Sequence, residues 1–197
     1  MNNAPELLVP CFSDSQRILV ETCFRGSVAS GADSGELDSV IRAPEGKMPI
    51  RVITAAAIFD GHDAAIGIFR RILQSQGCEV IHLGHDRGAD EVARAAIQED
   101  AHAVAITSYQ GGAVEMFTHT KEILQKKGFE HVFLFGGGGG TILPKEIEHL
   151  KEQGISKIYS PDDGRDLGLV GMVRDAMTSA SGTCLLYTSD AADEWLR

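Results

Sequence analysis

The sequence predicts a doubly wound α/β fold built on one five-stranded parallel sheet. Three observations carry that expectation. Short apolar runs alternate with helical patterns from about residue 50 to residue 177. Glycines follow several of the helical stretches, where a left-handed residue closes a helix. The alternation is regular, and alternating strands and helices imply parallel pairing with helices on both faces.

Residues 51–58 (RVITAAAI) read as a buried strand. Residues 64–76 carry Ala65, Ile68, Phe69, Ile72 and Leu73 at helical spacing, and Gly77 stops them. Residues 79–83 (EVIHL) form the second strand, 89–98 the second helix and 103–107 (AVAIT) the third strand. A third helix over 114–127 ends at Gly128, and 131–135 (HVFLF) is the fourth strand. The fourth helix, 144–153, opens on Pro144, which suits a first turn, and Gly154 follows it. Residues 157–159 (KIY) make a short fifth strand and 166–177 the fifth helix. Right-handed crossovers and the strand order 2-1-3-4-5 give a flavodoxin-like, Rossmann-like sheet. Its ligand crevice falls at the carboxyl ends of strands 1 and 3, where the winding reverses.

Composition narrows the function. The chain has 197 residues, of which 43% are hydrophobic and 23% charged, and 28 acidic against 18 basic residues give a net charge of −10. Such an acidic chain without a basic run is a poor binder of nucleic acid or anionic membrane, so neither is expected as a partner. No apolar run is long enough for a transmembrane helix, and the basic-then-apolar order of a signal peptide is lacking. Cys11, Cys23, Cys78 and Cys184 are far apart, which fits a reducing cytoplasm better than a zinc cage or a disulfide framework.

The chain divides into three parts. Residues 1–49 are irregular, punctuated by Pro5, Pro10, Pro44 and Pro49. Met48 lies three residues before the first strand and is expected to be the native start, with 1–47 upstream sequence translated in frame. Residues 50–178 are the folded domain. Residues 179–197 break the pattern, and CLLYTSDAADE within them looks like a translated sequencing adapter. The natural chain is therefore expected to continue past about Ser179, whereas a short acidic tail is the plainer reading.

Three loops at the carboxyl ends of strands 1, 3 and 4 carry the unusual residues. The first is Asp60-Gly61-His62-Asp63. A carboxylate beside an imidazole can accept one ring N–H and leave the other nitrogen as base or ligand. The same residues also read as a solvated loop with Asp63 capping the next helix. The second loop, Thr107-Ser108-Tyr109-Gln110-Gly111-Gly112, lets a ligand approach the backbone, or merely supplies an N-cap from Thr107 or Ser108. The third is the run Gly136–Gly140, an entropically costly way to make a flexible loop. A phosphate cradle is disfavoured, because neither a GK[ST] sequence nor a G-x-G-x-x-G after the first strand is present. The stretch 162–165 (DDGR) either lines the same edge or forms an acidic turn.

Taken together these loops match one pattern: Asp60-x-His62-x-x-Ala65, then 42 residues, then Ser108-x-Gln110, then a glycine pair near Gly137-Gly138. This resembles the D-x-H-x-x-G, S-x-L, G-G signature of base-off/His-on cobalamin-binding domains. The wording TAAAIFDGHDAA, EVIHLGHDR, SYQGG and FGGGGGTI is most similar to the B12 domain of fused isobutyryl-CoA mutase and methylmalonyl-CoA mutase-type enzymes. Ala65 replaces the glycine and Gln110 the leucine of the signature, which bears on pocket shape.

The resemblance implies that His62 is the lower axial ligand of cobalt and that Asp60 tunes it. It also implies that Gly61 lies in the ligand loop, that Ser108 meets the displaced benzimidazole with Gln110 at the leucine position of the cofactor-binding signature, and that Gly137 and Gly138 line the tunnel for the nucleotide tail. The implied cofactor is adenosylcobalamin. The implied parent is an acyl-CoA mutase, an intramolecular isomerase whose barrel and GTPase chaperone domain lie in cis or in trans, and the fragment alone is expected to be inactive. A ligating imidazole must be neutral, so binding is expected to weaken below about pH 6. Two other readings remain: a corrinoid protein for methyl transfer, which would need a longer helical cap, and a cofactor-free interaction or signalling domain. A signal receiver needs an aspartate at the end of the third strand, and Ser108 stands there.

Overall fold

The structure is a computed structural model that describes the backbone of residues 49–194 and the side chains of 49–181. The expectations about Met48, the first 47 residues and the adapter-like side chains lie outside the described residues.

The elements run β1 (Arg51–Ala57), α1 (Asp63–Ser75), β2 (Glu79–Arg87), α2 (Ala89–Gln98), β3 (Ala103–Thr107) and α3 (Ala113–Lys126). They continue as β4 (Phe133–Gly137), a 3₁₀ turn (Gly139–Thr141), α4 (Pro144–Glu152), β5 (Lys157–Tyr159) and α5 (Pro161–Glu194). The sheet is parallel with the order β2-β1-β3-β4-β5, as expected. Helices α1 and α5 pack together on one face, while α2, α3 and α4 cover the other. The apolar runs explain the centre: β1 and β3, covered on both faces, are buried from Val52 to Ala57 and from Ala103 to Thr107. On the α3 side Ile53, Val104, Ile106 and Leu134 meet Val92, Phe117 and Leu124 without measurable exposure.

Three boundaries differ from the sequence expectation. β2 runs on to Arg87 because its register with β1 shifts twice, after Thr54 and after Ala55, with Gly84 and Asp86 at positive φ. Such bulges let an edge strand keep pairing beyond its apolar run. β4 starts at Phe133 and absorbs Gly136 and Gly137, because pairing with Ile106 and Thr107 continues past the last apolar side chain. α5 starts at Pro161, earlier than expected, and breaks at Gly168 (φ 63°, ψ 173°). Its start is held by Ser160, whose amide and hydroxyl both donate to Asp163 Oδ2 at 2.7 Å. The 162–165 stretch is thus the first turn of a helix and not a free acidic turn.

Candidate functional site: a histidine–aspartate pair beside a glycine-walled cavity

The β1–α1 loop builds the first half of the site. Asp60 is fully buried, and its carboxylate is an acceptor for three donors. Oδ1 accepts the His62 amide at 2.9 Å and lies 2.8 Å from His62 Nδ1, while Oδ2 accepts the Tyr109 amide at 2.5 Å. Burial alone would push this acid up. The Tyr109 and His62 amides and the imidazole outweigh that and hold Asp60 below the usual carboxylate range. An ionised carboxylate only accepts, so Nδ1 donates to it, and in the neutral imidazole the lone pair is then on Nε2. The His62 side chain is 59% exposed. A buried anion therefore aims an accessible imidazole with a free donor nitrogen.

Asp63 does not cap α1. It is the first helical residue, and His62 occupies the cap position without a side-chain hydrogen bond. Likewise Gly112, in the left-handed region at φ 70°, begins α3, so neither Thr107 nor Ser108 acts as its N-cap. Both hydroxyl residues belong instead to the strand end.

The β3 and β4 ends form the second half. The Ser108 amide donates to the Gly137 carbonyl at 3.0 Å, and Thr141 Oγ1 lies 3.0 Å from Ser108 O and 2.7 Å from Gly138 O. The glycines answer a steric need. A Cβ on Gly136 would stand 1.9 Å from Ile106 O, one on Gly137 2.8 Å from Tyr159 O, and one on Gly138 1.9 Å from Ser108 O. Gly140 meets nothing within 4 Å. Three consecutive glycines, Gly136 included, are therefore demanded by backbone approach, one more than the pair the motif names.

Under them lies a cavity of about 170 Å³, walled by Ile66 and Phe69 of α1, Thr107, the first four glycines of the run, Tyr159 and Met172 of α5. Thr107 Oγ1 is buried there with no hydrogen-bond partner in the protein. A flat, largely apolar group with a polar edge fits such a slot. Tyr109 joins the halves: its amide holds Asp60, its ring centroid is 5.6 Å from that of His62, and it lines the cavity.

Of the residues the motif singles out, Asp60, His62, Ser108, Gly137 and Gly138 converge on this edge. Gly61 and Gln110 are exposed in the same two loops. Tyr109, hidden in the variable position between Ser108 and Gln110, was not singled out. No local pattern announces an amide that reaches a residue 49 positions earlier.

Replacing Asp60 by asparagine should lower stability by about 1–3 kcal/mol at pH 7, since an amide nitrogen must then face a donor. The sign with pH follows from the lowered folded-state value. Asp60 stabilises the fold above the unfolded carboxylate range, about pH 4, and that contribution disappears as pH falls through the lower folded value. Urea midpoints should therefore differ most near neutrality and draw together as pH falls below about 4. A constant difference across that range would contradict the buried, ionised Asp60.

A doubly wound sheet with an imidazole raised by a buried carboxylate at its switch point, next to a glycine-walled slot, defines a class of cofactor-binding domain. The B12 binding domain family matches residues 50–161, and the chain belongs to that family. It is 57% identical over 134 residues to the fused isobutyryl-CoA mutase of Cupriavidus metallidurans, covering 68% of this chain but 12% of that protein. It is 29% identical to the 2-hydroxyisobutanoyl-CoA mutase small subunit of Aquincola tertiaricarbonis, covering 58% of this chain and 82% of that one. Among solved structures, a cobalamin-binding protein from Desulfitobacterium hafniense superposes with a TM-score of 0.55 at 18% identity, over 66% of this chain and 59% of the other. That likeness is one of fold.

Proposed function

We propose that residues 50–178 bind cobalamin in the base-off/His-on mode, as the B12 module of an adenosylcobalamin-dependent acyl-CoA mutase of the isobutyryl-CoA or methylmalonyl-CoA type. The observation that carries the reading is the His62 imidazole, exposed and oriented by the buried Asp60 at 2.8 Å beside the glycine-walled cavity. His62 would hold cobalt through Nε2, and Asp60, by holding the Nδ1 proton, would keep that nitrogen directed. Gly61 would let the loop lie close under the ring. Ser108 and Gln110 belong to the loop that would meet the displaced base, and Gly137 and Gly138 would flank the nucleotide tail.

When bound, adenosylcobalamin supplies the radical chemistry by homolysis of its cobalt–carbon bond. This chain's residues bind, orient and shelter; none is assigned a catalytic role. The acyl-CoA barrel and the GTPase chaperone belong to the parent enzyme, in cis or as separate chains, so the fragment alone would be inactive. Coverage of 82% of a mutase small subunit supports assembly in trans, and coverage of 12% of a fused mutase supports the other arrangement. We place the protein in the cytoplasm, in keeping with four cysteines far apart in the sequence and without a CxxC pair.

Titrating the whole chain with hydroxocobalamin tests the reading. The visible spectrum should move to that of histidine-ligated, base-off cobalamin, and the pigment should co-elute with protein. No spectral change at micromolar cobalamin would overturn it.

A further inference from the structure

Phe59 breaks a local rule. It is the third residue of the turn from Ala57 to Asp60, which closes with the Asp60 amide donating to the Ala57 carbonyl at 3.0 Å. Its φ is 63°, a left-handed conformation that favours glycine at this place in a turn. A bulky residue there is strained, and such strain persists only where the surroundings hold it. Packing does not hold it here, because Phe59 is 82% exposed.

The holding contact comes from the neighbouring strand. Asp86 Oδ1 accepts the Phe59 amide at 2.8 Å. The irregular end of β2 makes that reach possible. β2 stays paired with β1 as far as Ala57 and Arg87, through two register shifts, with Gly84 at φ 88° and Asp86 at φ 57°. Two non-glycine residues in the left-handed region thus meet through one hydrogen bond. Local rules broken together at one contact point to a use for that contact.

The use lies one residue further on. Asp60 follows Phe59 directly, and its carboxylate must meet the Tyr109 amide at 2.5 Å and His62 Nδ1 at 2.8 Å. Return of Phe59 to an ordinary negative φ would rotate the chain that enters Asp60, and both contacts would be lost together.

We propose that Asp86 is a positioning residue for cobalt ligation. By holding Phe59 in its left-handed conformation it fixes the entry to the β1–α1 loop, and so aims Asp60 and, through it, His62. The inference rests on the cobalamin-binding reading above and extends it to a residue on the edge strand that acts through backbone alone.

The test titrates the full chain with hydroxocobalamin and follows the visible spectrum. Asp86 is exposed, so its variants leave the core intact. Asp86→Ala should weaken histidine-ligated binding about three- to tenfold, the effect of one lost hydrogen bond. Asp86→Asn keeps an acceptor oxygen and should restore wild-type binding. Asparagine enters the left-handed region far more readily than phenylalanine. Phe59→Asn should therefore bind as wild type does, and in that background Asp86→Ala should have little further effect, a non-additive pair. In the cofactor-free chain, hydrogen exchange at the Phe59 amide should quicken in Asp86→Ala and not in Asp86→Asn.

Equal affinity and spectrum for wild type and Asp86→Ala overturn the proposal. So does failure of Asp86→Asn to rescue, which would mark an effect of charge. An undiminished loss from Asp86→Ala in the Phe59→Asn chain also overturns it, since that would mark a general loosening of β2. A wild type without spectral change at micromolar hydroxocobalamin overturns the cobalamin reading and with it the assignment to cobalt. Exchange at the Phe59 amide then still decides whether Asp86 holds the loop.

Discussion

His62→Ala should abolish the histidine-ligated cobalamin spectrum and weaken cobalamin binding by about two orders of magnitude, while leaving the fold in place. Removing even the partner of a metal-ligating histidine typically costs 10–100-fold in affinity, so loss of the ligand itself should cost at least that much. Stability should change little, for reasons visible in the local contacts. The imidazole is 59% exposed, and its side chain makes one hydrogen bond, to Asp60 Oδ1. In the variant the backbone amide of residue 62 still donates to that oxygen, as it does now at 2.9 Å, and Tyr109 still donates to Oδ2. One side-chain hydrogen bond is worth about 0.5–1.5 kcal/mol. Visible titration with hydroxocobalamin and urea denaturation should therefore separate: a large effect in the first, a small one in the second. Unchanged spectra in His62→Ala would remove His62 from the cobalt.

Gly138→Ala should be among the most damaging single-methyl changes in the domain, and Gly140→Ala among the least. The difference lies in what each β-carbon would meet. At Gly138 it would lie 1.9 Å from the Ser108 carbonyl oxygen, a backbone atom that cannot swing aside. Relief requires the β3 and β4 ends to part. That disrupts the Ser108 amide to Gly137 carbonyl bond at 3.0 Å and the contacts of Thr141 Oγ1 with Ser108 O and Gly138 O. Overpacking of this kind costs about 3 kcal/mol, a sizeable part of the roughly 5–15 kcal/mol a domain possesses. It would also distort the cavity wall, so cobalamin binding should fall with stability. Gly140 is exposed with open space around it, and alanine there should stay within about 0.5 kcal/mol of wild type. Thermal and urea midpoints of the two variants, side by side, decide the point. Equal tolerance at both positions would mean that the strand ends are not in close contact.

The ligand pair was readable because both partners lie within one loop. Asp60 and His62 are two residues apart, and any turn that buries the carboxylate brings it near the imidazole. The glycine run was readable as a steric demand, and three of its five members bear that out. Its register was not, because which glycine meets a carbonyl depends on how far β4 slides along β3. The strand took Gly136 and Gly137 into its ladder, which an apolar-run criterion excludes. The same limit explains the capping residues. Asp63, Thr107 and Ser108 all have cap-forming side chains, but the helices begin one residue earlier or four to five later than those side chains require.

Periodicity and local chemistry alone thus carried the α/β alternation, the sheet's parallel sense, the winding that sets its crevice, and the histidine–aspartate pair. These rest on contacts between residues near in sequence or on the repeat length of a strand or helix. Packing across the sheet assigned the rest: the third indispensable glycine, the bridging role of Tyr109, and a hydroxyl at Thr107 left facing a slot. Each of these depends on distances between chain segments tens of residues apart, and such distances exist only once β3, β4 and the helices above them have closed around one another.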